Sequence, residues 1–286
     1  MDATLARRLW RVGEPVHAIV YFHPASAETW AAGGLRGFWR GYFATRAAPL
    51  GAVGPGPVTA TFYNFAPPMV ARALPEVWTM ALPDQALSAR LAGAEAALRD
   101  ALGPDSDAED IAPTAAALRT AVDGLPIAGR ALFAANAALP WPDDPLLSLW
   151  HGLTLLREHR GDGHNAALLA AGLDGCAAHV LASAVGGTPR DVILPARGWT
   201  DDDWDARVTA LTERGLVDAA GATTSAGRTL HADIERRTDE LAAEPWGDLG
   251  AHDAESVIST LTRLATKVVD AQVIRFPNPM GLPRPD

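Results

Sequence analysis

The sequence contains almost no lysine and almost no cysteine. Lys267 is the only lysine among 24 positively charged residues, and all the others are arginine. The preference for arginine over lysine, together with the high alanine content, is typical of a GC-rich genome. The number of arginines is therefore not evidence for an anionic ligand. Cys176 is the only cysteine, which excludes an internal disulfide and a metal site built from cysteines. We therefore expect a reducing, cytoplasmic setting.

Long apolar runs and familiar catalytic motifs are also missing. No unbroken apolar stretch reaches the length of about 18 residues that a membrane-spanning helix needs. The first residues enter a helical pattern directly and lack the order of a secretory signal. We find no glycine-rich phosphate loop, HExxH pair, serine-nucleophile motif or catalytic carboxylate pair. The formal net charge of −10 opposes nonspecific attraction to nucleic acid and to anionic lipid.

Helical spacing of apolar residues dominates the remainder of the chain. Leu5, Leu9, Val12 and Val16 predict a first helix over about 4–22, kinked near Pro15. Threonine and β-branched residues over 58–62 predict a short strand instead. Further helices are predicted at about 35–48, 67–74, 84–102, 113–122, 127–138, 146–159, 164–184, 202–214, 226–243 and 254–271.

The segment from about 199 to 243 has the order of a winged helix. A capped helix ends at Gly215, residues 216–218 and 222–224 flank a turn as a small β wing, and a long helix follows. A weaker echo of this order lies over 35–78. We predict a mainly α fold, a helical bundle with an αα-hairpin and one or two winged-helix-like units. The predicted units are 1–105, 106–187, 188–247 and a final helix with a proline-rich tail, 248–286.

Four stretches together resemble a known family. They are 47–51 (AAPLG), 61–65 (TFYNF), 155–164 (LLREHRGDGH) and 278–283 (NPMGLP). These stretches are similar to those of an actinobacterial family labelled as helix-turn-helix or winged-helix proteins, over nearly the whole chain. The resemblance implies the winged-helix segment and assigns no catalytic residue. Fold alone does not settle function.

The charges of the winged-helix segment argue against DNA. Between residues 190 and 250 there are 7 arginines, no lysine and 13 acidic residues, which gives 7 − 13 = −6. Asp202, Asp203 and Asp205 begin the helix that would enter a major groove. Phosphate contacts need positive or neutral donors at that position. A protein-contacting or structural winged helix is favoured, and a ligand-responsive transcription regulator stays as the alternative.

The first helix carries a polar stripe of Trp10, Glu14, His17 and Tyr21 at spacings of four, three and four. Glu14 can orient His17, and Tyr21 can bind its other side, as a catalytic base and its orienting residue do. The competing interpretation is the border of an amphipathic helix with a hydrogen-bonded core histidine.

A second polar set lies at the predicted hairpin. His159 would end one helix, Asp162 would lie in the turn and His164 would begin the next helix. The helix dipoles would favour a charged imidazole at the first position and a neutral one at the second, which suits an acid–base pair. With His151, these histidines also suggest a metal or haem site. The competing interpretation is a polar hairpin tip.

Two arginines beside these histidines favour a different ligand. Arg157 and Arg160 would repel a metal cation and would bind a carboxylate or phosphate group. Tyr63 and Asn64 follow the predicted strand, and Arg40 and Arg46 lie on the helix before it. Aromatic groups with a few converging polar groups are typical of a small-molecule pocket, although they are equally typical of core.

These observations favour a small-molecule-binding helical protein, with a site between the N-terminal unit and the hairpin. Whether it is an enzyme is left open; the catalytic candidates are His159, His164, His17 and Glu14. The ligand-binding candidates are Tyr21, Arg40, Arg46, Tyr63, Asn64, His151 and Arg160. A protein-interaction module is a further alternative. We expect no membrane contact, and a homodimer stays open.

Overall fold

Helices make up nearly all the regular structure of the protein. The computed structural model describes residues 2–247, 249–282 and 284. Within these residues the α-helices are α1 Ala3–Ala18, α2 Pro24–Ala32, α3 Phe38–Ala47, α4 Pro55–Phe62, α5 Pro67–Ala71, α6 Pro83–Leu102, α7 Ile111–Val122, α8 Ala131–Ala137, α9 Pro145–Ala170, α10 Gly175–Ala184, α11 Arg190–Arg197, α12 Asp201–Glu213, α13 Ser225–Leu241 and α14 Ala251–Asp270. Short 3-10 turns occur at Ile19–Tyr21, Ala48–Leu50, Glu76–Thr79, Gly103–Asp107 and Glu244–Trp246. The mainly α class is confirmed.

Helix α12 illustrates how local sequence sets an element. The side chain of Thr200 accepts a hydrogen bond from the backbone N–H of Asp203 at 3.1 Å, and the Asp203 carboxylate accepts from the N–H of Thr200 at 3.0 Å. This reciprocal capping box fixes the start of the helix. Asp201, Asp202 and Asp203 occupy its first turn, where the helix dipole favours negative charge.

The predicted αα-hairpin is wrong. Residues 145–170 form one continuous helix, α9, and the chain turns only after it, before α10. Gly161, Asp162 and Gly163 therefore lie inside a helix, and His159 and His164 have no helix ends beside them. No single helix in the described residues is long and apolar enough to cross a membrane, although α9 and α10, bent by 90°, meet that length and composition together.

The predicted β elements are also absent from the described residues. Residues 55–62 form helix α4, which begins with Pro55 in the first turn, where its missing N–H costs nothing. The wing is reduced to a single antiparallel bridge between Val217 and Thr223. Asp218 and Ala222 add one backbone hydrogen bond of 2.8 Å beside it. Neither winged-helix-like unit therefore has a β wing.

The core joins both ends of the chain. The main apolar cluster contains residues from α1 to α9 and from α14, and it extends to Leu282. A second cluster takes residues between 167 and 234, from α9 to α13. Most apolar positions that the helical spacing predicts as core are buried: Leu9, Val16, Phe43, Leu149, Leu153, Leu168 and Leu211. Trp10, Trp39, Leu156 and Leu230 are half-buried. The prediction that Phe38 is buried is wrong, because this residue begins α3 and 43% of its surface is exposed.

Candidate ligand-binding cavity

A cavity of about 540 Å³ lies between the N-terminal helices, α9 and the C-terminal elements. The side chains that line it come from α1, α3, α4, α8, α9, α10, α11 and α13. Residues 279–281 of the tail complete the wall. Pockets of this size and position commonly hold small molecules or cofactors.

One end of the cavity is built around Glu158, a buried carboxylate on α9. Arg46 of α3 donates to both of its oxygens at 3.3 Å, and Arg157 donates to Oε1 at 2.7 Å. Arg157 also reaches Glu14 of α1 at 3.5 Å. Burial alone would raise the pKa of Glu158, but Arg157 and Arg46 hold that pKa well below its usual range. Glu158 is therefore a carboxylate anion.

Arg197, at the end of α11, has no carboxylate partner among the described residues. Its Nη2 donates to the carbonyl of Pro279 at 2.6 Å, and its guanidinium lies 4.5 Å from the centre of the Phe65 ring. Its Nε is buried without any hydrogen-bond partner, and the residue is 8% exposed. A buried charge without a counter-ion is costly, so this guanidinium is a candidate for binding an anion.

Arg90 lies behind these residues and is 5% exposed. Its Nη1 donates to Asn136 Oδ1 at 2.9 Å, and its guanidinium lies 5.1 Å from the centre of the Trp150 ring. Arg46, Arg90, Arg157 and Arg197 are called the arginine cluster below. Burial would raise the pKa of Tyr42 in their midst, yet Arg46 and Arg197 bring that pKa below its ordinary value. The cluster is therefore strongly electropositive.

A second ionic network lies further along the cavity and is balanced in charge. Arg7 pairs with Glu235 at 2.7 Å and with Asp239 at 2.8 Å. Arg160 pairs with Asp239 at 2.7 Å, and its guanidinium lies 4.8 Å from the centre of the Trp10 ring. Two guanidiniums thus face two carboxylates, so this part of the wall carries no excess charge.

His164 presents a neutral imidazole to the cavity. The hydroxyl of Thr238 donates its only proton to the carbonyl of Ile234 at 2.8 Å, so it accepts from Nδ1 of His164 at 2.9 Å. Nε2 is then an unprotonated acceptor. Burial lowers the pKa of His164, which keeps the ring neutral. Two neighbouring wall atoms, Asn64 Oδ1 and His179 Nε2, are buried without hydrogen-bond partners.

The cavity brings together part of the set that the sequence indicates. Among those candidates the residues that line it are Glu14, Arg46, Asn64, Arg160 and His164. Arg40 instead lies 4.0 Å from Glu76 near the surface. The hydroxyl of Tyr63 donates to the carbonyl of Leu173 at 2.5 Å, on the side of the second core cluster.

His17 and Tyr21 lie in the core beside the cavity. The two nitrogens of His17 are 3.2 Å from Thr154 Oγ1 and 3.3 Å from Tyr21 Oη, and the ring stacks on Trp150. Burial lowers the pKa of His17 well below its ordinary value. Tyr21 therefore binds His17 as expected, but Glu14 does not orient it. These contacts fit the hydrogen-bonded core histidine.

His151 and His159 do not line the cavity, whereas His164 does. The predicted pair of His159 and His164 therefore does not face a common cavity. His151 packs edge-on against Trp141, and His159 packs edge-on against Phe133. Burial lowers the pKa of His151 to about 4 and that of His159 to about 3. On one continuous helix, the spacing of five residues between His159 and His164 points their side chains in different directions. The described residues contain no group of three or more potential metal ligands.

Sequence reasoning missed several wall residues. Arg7, Tyr42, Asn165, His179, Arg197 and His231 all line the cavity. Arg197 carries no distinguishing signal, because it is one arginine among many at a helix end. Only the fold shows that its guanidinium is buried without a counter-ion.

The model of a helix-turn-helix family matches residues 6–275. The chain belongs to the helix-turn-helix family. No curated protein and no solved structure gives a significant match. Helices α11 and α12 follow each other in the order helix, turn, helix, and residues 198–200 join them with Gly198 in the left-handed conformation at φ 75°. A Cβ at this glycine would lie 2.6 Å from Cβ of Met69.

The arginines around this helix-turn-helix are engaged by other groups. Arg190 pairs with Asp201 at 2.7 Å and Asp205 at 3.0 Å. Arg207 pairs with Asp174 at 2.7 Å, and Arg214 donates to the carbonyls at the end of α9. Arg197 turns into the cavity, so among the described residues the arginines of α11 and α12 all have partners.

Proposed function

We propose that this protein binds a small anionic molecule in the cavity between α1, α3, α9 and α11. The observation that carries the proposal is the buried guanidinium of Arg197, which faces the cavity without a carboxylate partner among the described residues. The stacking of Arg197 on Phe65 and of Arg46 on Phe62, at 4.0 Å, holds both groups in place before a ligand arrives. Preorganised donors of this kind reduce the cost of binding.

Thermal unfolding of the full chain tests this proposal. The probe is inorganic phosphate, compared with sodium chloride of the same ionic strength. We expect phosphate to raise the unfolding temperature of the natural protein by several degrees, because it binds only the folded state. The rise should disappear in Arg197→Gln and persist in Arg236→Gln, whose arginine pairs with Asp233 and Glu240 on the surface.

Removing Arg197 has a second expected effect. Without ligand, Arg197→Gln should be no less stable than the natural chain, because the substitution removes an uncompensated buried charge. A variant that keeps its fold and its full response to phosphate would overturn the proposal. Residues at binding sites commonly reduce the stability of the folded protein, because they are selected for binding.

A ligand-responsive DNA-binding regulator is the second candidate, favoured by the match to the helix-turn-helix family. In that case the cavity would hold the effector and α12 would approach DNA. The acidic first turn of α12 and its engaged arginines weigh against direct DNA contact. A DNA-binding assay, described below, separates the two candidates.

A further inference from the structure

The arginine cluster carries more positive than negative charge. It contains four guanidiniums, and the carboxylates paired with them are Glu14 and Glu158, which gives 4 − 2 = +2. Arg90 and Arg197 have neutral partners: Asn136 for Arg90, and the Pro279 carbonyl and the Tyr42 hydroxyl for Arg197. Asp162, the next carboxylate along α9, accepts from the backbone N–H of Phe133 and forms no described ion pair. No ion pair among the described residues therefore neutralises the charges of Arg90 and Arg197.

The cavity-facing members of the cluster converge on one place. Tyr42 Oη accepts from Arg46 Nη1 at 3.3 Å and also interacts with Arg197, so these two guanidiniums meet at one hydroxyl. Arg46 and Arg157 meet in the same way at Glu158. A single compact group can therefore contact several guanidiniums, whereas two separate carboxylates would have to spread over the wall.

We propose that the ligand carries a dianionic phosphate-monoester group, bound at the arginine cluster by Arg197 and Arg46. This inference rests on the proposed function and specifies its ligand class. Phosphate oxygens match the planar fork of a guanidinium, and two negative charges balance the excess of the cluster. A monoanion would leave half of that excess unpaired.

The remainder of the ligand faces neutral groups. Beyond the cluster, the wall offers Asn64, His164 and His179, and the ionic network of Arg7 and Arg160 is already balanced. Asn64 Oδ1 and His179 Nε2 are buried without partners, and His164 Nε2 is an acceptor. An uncharged body with hydrogen-bonding groups therefore suits this part of the cavity.

Isothermal titration of the full chain with phenyl phosphate and phenyl sulfate tests the inference. The two probes share a ring and a tetrahedral head, but near pH 7.5 the phosphate is a dianion and the sulfate a monoanion. We expect phenyl phosphate to bind about ten- to a hundredfold more tightly, since hydrogen bonds to charged groups are the strong ones. Arg197→Gln should remove most of this preference, and Arg236→Gln should retain it.

The outcomes distinguish the two proposals. Equal affinity for the two probes, or a preference for the sulfate, would contradict the proposal that the ligand carries a dianionic phosphate-monoester group. The proposal that the cavity binds an anion would still stand. Absence of a response to any anion, inorganic phosphate included, overturns both. Should Arg197→Gln fail to fold, Arg197→Lys keeps the charge without the planar fork, and it should show a reduced preference for phenyl phosphate.

Discussion

The carbonyl oxygen of Pro279 accepts a hydrogen bond of 2.6 Å from Nη2 of Arg197. The tail therefore forms part of the cavity wall and contacts the guanidinium of Arg197, which also faces the cavity. Asn278 holds the tail in shape, because its Oδ1 accepts from the N–H groups of Met280 at 3.1 Å and Leu282 at 3.2 Å. Thr188, at the other side, donates to the Asn278 carbonyl at 2.9 Å. These hydrogen bonds explain why the proline-rich tail packs against the rest of the protein.

Replacing Glu158 by glutamine should destabilise the folded protein strongly. The change leaves Arg46 and Arg157 buried beside a neutral amide, and breaking a buried ion pair in this way costs about 3–5 kcal/mol. Urea unfolding of Glu158→Gln measures the loss in the free energy of unfolding. The matched control is Glu95→Gln, which removes a surface partner of Arg99 and should cost less than about 1 kcal/mol. Similar small losses for both variants would contradict the buried network.

Two of the three glycines inside α9, Gly161 and Gly163, should respond differently to alanine. At Gly161 the nearest atom to an added Cβ is Glu158 Oε2 at 3.8 Å, so Gly161→Ala should stabilise the helix by about 0.5–1 kcal/mol. At Gly163 a Cβ would lie 3.1 Å from Leu241 Cβ and 3.2 Å from Arg130 Nη1, so Gly163→Ala should be the less stable variant. Thermal unfolding compares them. A marked loss in Gly161→Ala would favour a turn at this point instead of a helix.

Stability should fall in acid because His151 and His159 are buried as neutral rings. The pKa of His159 is lowered by burial from 6.5 to about 3, so below pH 6.5 the unfolded chain binds a proton that the folded chain does not. Glu244, 3.8 Å from its Nε2, is too distant to hydrogen-bond with the ring. From pH 7 to pH 5, His159 should remove about 2 kcal/mol from the free energy of unfolding.

Leucine at these positions removes the titration. In His159→Leu the acid loss measured by urea unfolding should shrink by about 2 kcal/mol, and in a double variant with His151→Leu by about twice that amount. Undiminished acid sensitivity in both variants would show that these histidines are not the proton-linked groups.

Duplex DNA should not bind at moderate protein concentration. In a gel-shift assay with mixed-sequence DNA at low salt, we expect no retarded band in the low micromolar range, because Asp201, Asp202 and Asp203 begin α12 and Arg207 is paired. A band whose affinity falls steadily as salt rises would instead support the regulator. Repeating the assay with phosphate present tests whether an effector is required.

The helices were largely predictable because apolar spacing and capping residues act locally. Helix α12, capped by Thr200, and helix α5, which begins at Pro67, start within two residues of the predicted ranges 202–214 and 67–74. The hairpin failed for a tertiary reason: Gly161 and Gly163 resemble a turn in sequence, but the packing of Leu241 against Gly163 suits a glycine inside a continuous helix. The strand over 58–62 failed because the chain context overrides the weak preference of threonine and valine for strands.

The cavity was predictable only in part. Glu14, Arg46 and Arg160 are polar residues on otherwise apolar helices, which is a visible signal. Arg197 has no such signal, since its importance comes from burial and from the lack of a carboxylate beside it. Convergence of side chains from eight helices is a property of the tertiary fold that spacing along one helix cannot reveal.

Helix α9 passes through every apolar cluster of the described residues. Leu149 and Trp150 belong to the main cluster, Leu155 to a small cluster with Phe133, and Leu168 to the second cluster with α10 and α12. Unwinding any part of this helix would strip packing from its neighbours on both sides. The arginine cluster takes its residues from α3, α6, α9 and α11. The cavity and the α11–α12 segment are thus expected to melt as one cooperative unit, so neither is an independently separable module.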